Sequence, residues 1–182
     1  DIEGLGEKQI DRFLDHGILS DLPSIYELTT KKSKLLELEK LGEQSVSNIL
    51  TAIEISKTRP LDKFLFGLGI RFVGDRSAKD IAEHFRSLET IRTADYNAFL
   101  EIGDIGPRTA GELEEYFEEP ENQQMLDRML ALGVSPTEPA PIAGNLFEGQ
   151  TLVFTGKLEF FSREAAEGIV QRYGGKAVGS VS

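Results

Sequence analysis

Four glycines, Gly6, Gly42, Gly74 and Gly106, each end a short apolar run, and two places after each comes Lys8, Gln44, Arg76 or Arg108. The chemistry open to such a set is holding a phosphate. Glycine lets the backbone come close to another molecule and tolerates positive φ. A helix starting just after it points its free N–H groups and the positive end of its dipole out of the turn, where an anion is favoured. A long cationic side chain two places on adds a second, charged contact. Pro107 suits the same arrangement, since an N–H is not needed at the first helical position.

Other chemistry finds little to work with. His16 and His84 are the only histidines, far apart, and each falls in the last turn of an apolar helix, a favourable place for the ring without any metal or base role. There is no Ser-His-Asp set, no glycine-rich loop with a phosphate-binding lysine, and no pair of carboxylates in a defensible geometry. Cysteine is absent, which removes disulfides and thiolate metal sites and fits a reducing compartment.

The glycines belong to a unit met four times: Ile2-Glu3-Gly4-Leu5-Gly6, Leu38-Glu39-Lys40-Leu41-Gly42, Ile70-Arg71-Phe72-Val73-Gly74 and Ile102-Gly103-Asp104-Ile105-Gly106. The closing glycines are 36, 32 and 32 residues apart, a near-constant period. Apolar residues recur eight and eleven places after each start: Ile10 and Phe13, Val46 and Ile49, Ala78 and Ile81, Ala110 and Leu113. Each unit therefore needs a helix leaving the turn and apolar ends that seat the turn on its neighbours.

Apolar spacing predicts helices over 7–16, 22–28, 31–38 (capped by Thr29 or Thr30), 43–57, a helix opened by Pro60, then 75–85, 95–101, 107–117 and a last one opened by Pro120. Residues 1–132 show no alternation of period two. From Gly133 the composition changes, and Ser135, Pro136, Thr137, Pro139, Ala140, Pro141 and Gly144 read as an extended linker. Beyond it, 151–156 reads as a buried strand, Ser162 caps a helix to about Tyr173, Gly174-Gly175 breaks it, and 176–181 starts a second strand. That is a βαβ unit with parallel strands.

The net charge is −11, all of it in residues 1–144, so nucleic acid can be held only on a local face with the acids turned elsewhere. The run Glu112, Glu114, Glu115, Glu118, Glu119 and Glu121 reads as a solvated helical face. No run of about 18 apolar residues marks a membrane span, and no leader pattern is present.

The repeated unit resembles the helix-hairpin-helix motif, whose pattern is apolar-x-Gly-apolar-Gly-x-x-x-Ala. The first copy has both glycines; Lys40, Phe72 and Asp104 stand at the earlier position in the others, and Gly103 lies one place early. The resemblance implies DNA-binding roles for Gly4, Gly6, Lys8, Gly42, Gly74, Arg76, Gly106 and Arg108. Residues 147–182 resemble the first half of a BRCT domain, marked by Thr155-Gly156 after the first strand and by Gly174-Gly175. In phosphate-reading members of that family the Thr-Gly turn holds the phosphate, which implies that role for Thr155 and Gly156.

The expected fold is thus mainly α. Four tandem helix-hairpin-helix units, the first truncated, form a compact pseudo-two-fold domain over 1–133; a Pro-rich linker covers 134–146, and an incomplete α/β segment covers 147–182. This order closely resembles the C-terminal part of bacterial NAD-dependent DNA ligases, most specifically at residues 1–8 and 66–74. The resemblance implies a parent enzyme of the cytoplasm, associated with the nucleoid, that seals nicks with NAD, magnesium and a structural zinc. It places all of that chemistry in upstream domains, so this segment is expected to bind nicked double-stranded DNA without catalysing, and to need no cofactor or membrane. Two other readings fit the residues: a tandem-hairpin region of an excision nuclease, and an acidic protein-interaction scaffold.

Overall fold

A computed structural model of the chain describes residues 2–39, 41–139, 144–156, 158 and 162–179. It divides into two units, Asp1–Pro139 and Ala140–Ser182. Among the described residues the first unit is helical: α1 (Glu7–Asp15), α2 (Ser24–Glu27), α3 (Lys32–Leu36), α4 (Glu43–Ser56), α5 (Leu61–Gly67), α6 (Asp75–Phe85), α7 (Leu88–Arg92), α8 (Tyr96–Leu100), α9 (Pro107–Glu118) and α10 (Pro120–Ala131).

Two apolar clusters divide this unit. One gathers Leu5, Phe13, Leu28, Leu35, Leu41, Val46, Ile49 and Ile53 from the first two repeats. The other gathers Leu61, Leu65, Ile70, Val73, Ile81, Ile91, Phe99, Ile105 and Leu113 from the last two. Burying one such side chain contributes about 1.5–3 kcal/mol, so each pair of repeats carries its own core. Helix α10 is shared between them. Its Leu126 lies in the second cluster and its Met129 in the first, while half-buried Phe64 and Met125 touch both. On the outer side Arg128 of the same helix meets Asp21 at 2.6 Å and Glu27 at 2.9 Å.

The predicted helices are present, with informative differences. Thr29 and Thr30 do not cap α3: they lie in a 3-10 turn, Leu28–Thr30, and their hydroxyls donate back to the carbonyls of Tyr26 and Glu27. Lys31 precedes α3 without a side-chain cap. Helix α7 had no counterpart in the sequence reading; the Ser87 hydroxyl caps it by accepting the Thr90 N–H at 3.1 Å.

The first part of the expected linker is bound to the helical unit. The Ser135 N–H donates to the Lys57 carbonyl, the Thr137 N–H to the Arg59 carbonyl, and the Leu61 N–H to the Thr137 carbonyl, all within 3.0 Å. An extended segment with free backbone donors has found a partner in the connection between α4 and α5. At its end the Arg86 guanidinium donates to the Pro139 carbonyl at 2.5 Å. Ala140 and Pro141 lie outside the described residues.

The second unit holds β1 (Thr151–Val153), α11 (Arg163–Arg172) and β2 (Lys176–Val178). The strands pair parallel, Leu152 opposite Ala177, as a βαβ order requires. Strand β1 stops at Val153 rather than 156, where its pairing with β2 ends, and it is not a buried strand: Thr151 is exposed and Leu152 and Val153 are half-buried. Val181 lies outside the described residues. Ser162 caps α11 through the Ala165 N–H. The glycine pair has two separate causes. Gly174 is left-handed at φ +80, and a Cβ on Gly175 would stand 2.6 Å from the Phe147 Cβ and 2.7 Å from a Val170 methyl.

Candidate nucleic-acid interface

The four runs share one turn hydrogen bond. A backbone N–H of the fourth residue donates to the carbonyl of the first: Leu5 to Ile2, Leu41 to Leu38, Val73 to Ile70 and Ile105 to Ile102, at 2.9–3.3 Å. Leu5, Leu41, Val73 and Ile105 are buried, which seats each turn on its core. The glycine that follows is exposed in every case and is the N-cap of α1, α4, α6 or α9.

These closing glycines do not use positive φ, contrary to one role expected of them. Gly6, Gly42, Gly74 and Gly106 have φ of −79, −78, −87 and −87 with ψ near 180, extended backbone that any residue adopts. A Cβ on any of the four would meet nothing within 4 Å. Neither torsion nor internal packing calls for glycine at these four positions. No side chain caps the first-turn N–H groups of these four helices, nor those of α2, α3, α5 and α10, whereas α7, α8 and α11 are capped by Ser87, Asp95 and Ser162. Each turn thus offers unpaired donors at a positive dipole end, an arrangement suited to an anion.

Positive φ occurs two places earlier. Gly4 is left-handed at φ +83, where a Cβ would also press on Ile49 at 2.9 Å. Phe72 holds the same conformation at φ +63 without being glycine. A bulky residue there costs about 1–3 kcal/mol. Asp104 is not left-handed, and Lys40 lies outside the described residues.

The charged positions differ in what surrounds them. Among the described residues no ion pair involves Lys8 or Arg108. The Gln44 amide donates to the Asn48 side chain at 2.8 Å. Arg76 is hydrogen-bonded and ion-paired to Asp104 and lies 3.9 Å from Asp80. Arg71 approaches Glu112 at 3.5 Å. The Arg108 guanidinium sits over the Phe72 ring at 4.1 Å from its centre, and that of Arg71 at 4.8 Å.

These contacts reveal a reciprocal arrangement. The third turn meets α9 through Arg71, Phe72, Arg108 and Glu112, and the fourth turn meets α6 through Asp104 and Arg76. The first turn meets α4 at Gly4 and Ile49, and α1 reaches the second turn where Arg12 donates to the Glu39 carbonyl. Each turn touches the helix that leaves its partner. Phe72 and Asp104 were visible in the sequence only as departures from a glycine; their partners are some thirty residues away, and nothing local marks them.

In the second unit Thr155 and Gly156 form an exposed turn, with Gly156 at φ +82. Arg163, which the sequence reading passed over, donates to the Phe154 carbonyl at 2.8 Å and the Gly156 carbonyl at 3.3 Å, so it braces this turn. His16 accepts its place at the end of α1 by a 2.8 Å contact of its Nδ1 with the Arg12 carbonyl, and His84 packs edge-on against Phe85. Among the described residues no cluster of His, Asp and Glu could hold a metal ion, and no helix is long and apolar enough to cross a membrane.

Residues 63–126, from α5 to α10 and including the third and fourth turns, match the family model described as "Helix-hairpin-helix motif". A helix-hairpin-helix domain is thus present within the first unit. Over its whole length the chain is 42% identical to a DNA ligase of Halalkalibacterium halodurans, 41% to one of Thermoanaerobacter pseudethanolicus and 43% to one of Thermomicrobium roseum. The chain spans 26–28% of the length of these relatives.

Proposed function

We propose that this segment is the part of a bacterial NAD-dependent DNA ligase that grips nicked duplex DNA by its backbone, independently of sequence. In this reading residues 1–133 are four tandem helix-hairpin-helix units, and residues 147–182 are the first half of a BRCT domain joined through the Pro-rich linker. The observation that carries it is the state of Gly6, Gly42, Gly74 and Gly106: extended, exposed, with open space before them and uncapped helix amides behind. Backbone amides contact phosphates without reading bases, as an enzyme that must act at any nick requires. Lys8 and Arg108 add cationic contacts, and Arg76 does so once released from Asp104.

NAD, magnesium and zinc belong, in this reading, to other parts of the parent enzyme. The chain has no cysteine to supply thiolate ligands, and none of its described residues is grouped to hold a metal. In this reading catalysis has no step in this segment; its contribution is holding the substrate for the catalytic domains, in the cytoplasm and at the nucleoid, during replication and repair.

The test is titration of nicked duplexes of two unrelated sequences at several salt concentrations. Equal affinities that fall steeply with salt are expected. Absence of salt-dependent binding to either duplex would overturn the reading and leave the acidic surface as a protein-contact face.

A further inference from the structure

We propose that Phe72 is a positioning residue for Arg108, holding its guanidinium ready for a phosphate without neutralising it. The starting observation is strain that the fold itself does not reward. Phe72 is left-handed at φ +63, a conformation that favours glycine, and the residue is 40% exposed, so core burial does not explain its presence. What the ring does touch is two guanidiniums, Arg108 at 4.1 Å and Arg71 at 4.8 Å.

The two cations differ. Arg71 has Glu112 at 3.5 Å, whereas Arg108 has no ion-pair partner among the described residues. The neighbouring Arg76 shows the alternative way to fix an arginine: Asp104 holds it, and in doing so takes up its charge and donors. An aromatic face holds a guanidinium through its flat side and leaves the in-plane N–H groups and the charge available. Those edge donors are the ones that match a phosphate in bidentate fashion. Arg108 is two places after Gly106, beside the uncapped amides that start α9. Phe72 in the third turn therefore prepares the cation of the fourth.

This inference rests on the DNA-binding reading, and its test separates the two. The full chain and the variants Arg108→Ala, Phe72→Leu, Phe72→Gly, Phe72→Tyr and the double variant Phe72→Leu with Arg108→Ala are titrated against a labelled nicked duplex at several salt concentrations. Thermal denaturation is recorded for each. Phe72→Leu should weaken binding by roughly threefold and move the salt slope toward that of Arg108→Ala, while Phe72→Tyr binds like the parent. The double variant should bind like Arg108→Ala alone, because the ring acts through the arginine. Phe72→Gly is the sharpest arm: Tm should hold or rise as strain is relieved, yet binding should fall as in Phe72→Leu. If Arg108→Ala weakens binding but the Phe72 variants do not, or the two effects simply add, the positioning role is overturned and the DNA reading stands. If Arg108→Ala itself binds like the parent at every salt concentration, the phosphate reading of the fourth turn fails, and the positioning role with it.

Discussion

The guanidinium of Arg76, on the helix leaving the third turn, is ion-paired with the carboxylate of Asp104 in the fourth turn. Two residues 28 positions apart thereby join neighbouring repeats at their exposed ends. The pair also withholds a cation from anything that docks there.

Asp104→Asn should therefore tighten binding to nicked duplex and raise the magnitude of the salt slope by about 0.9, the effect of one added phosphate contact. Arg76→Ala in the parent should change the slope less than Arg108→Ala does. Salt titrations of the three variants check this; an Asp104→Asn slope equal to the parent's would show that Arg76 does not reach the DNA when released.

Glycine substitutions should separate folding from binding. Gly74→Ala and Gly106→Ala place a methyl in open space on extended backbone, so stability should stay within about 0.5 kcal/mol while affinity for DNA falls. Gly4→Ala meets both a left-handed backbone and the Ile49 side chain at 2.9 Å. It should cost about 1–3 kcal/mol of stability. Denaturant melts beside binding titrations read both quantities, and unchanged DNA affinity in Gly74→Ala and Gly106→Ala would speak against close approach.

The Arg128 cluster gives the first unit an acid-sensitive tie. A hydrogen bond from Arg128 holds the Glu27 carboxyl below its ordinary value of 4.5. For Asp21, burial pushes the carboxyl up, but hydrogen bonds from Arg128 and the Ser24 N–H outweigh it and leave it below 3.8. Both groups release their protons more readily folded than unfolded. Their contribution is complete above the unfolded values and is lost as pH falls through the folded ones. Arg128→Met should lower Tm at neutral pH and flatten the decline between about pH 5 and pH 3. Parallel Tm profiles for parent and variant would exclude the tie.

In the second unit, Gly175→Ala should act locally. The added methyl would overlap Phe147 and Val170, so α11 and β2 could no longer meet as they do. Amide exchange should quicken over 147–178 and stay unchanged over α1–α10. Even without the substitution, a two-stranded sheet offers few paired edges, and its amides should exchange before those of α4 and α6.

Much of the helical unit was legible because apolar residues at helical spacing carry the information locally. Phe13, Val46, Ala78, Ala110 and Leu113 all proved fully buried. The glycine turns were legible from their period, but not the torsion at each position. Side-chain type argues against a left-handed Phe72, and only the cations stacked on it make the choice intelligible. Segment 134–139 misled because its ties to Lys57, Arg59 and Leu61 run through backbone groups, which leave no mark on residue type. Helix α7 was missed although Ser87, which caps it, stands just before it in the sequence.

Helix α10 sends Leu126 into one core and Met129 into the other. Three residues of helix rise about 4.5 Å, so α10 ties the two cores together over that short interval. The fold has in effect a rivet, placed at the end of the unit rather than in the repeats. Residues could be added at the exposed turn tips without changing this tie. One residue added between Leu126 and Met129 would turn those two side chains about 100° out of register with each other, so the two cores could no longer both be filled from this one helix.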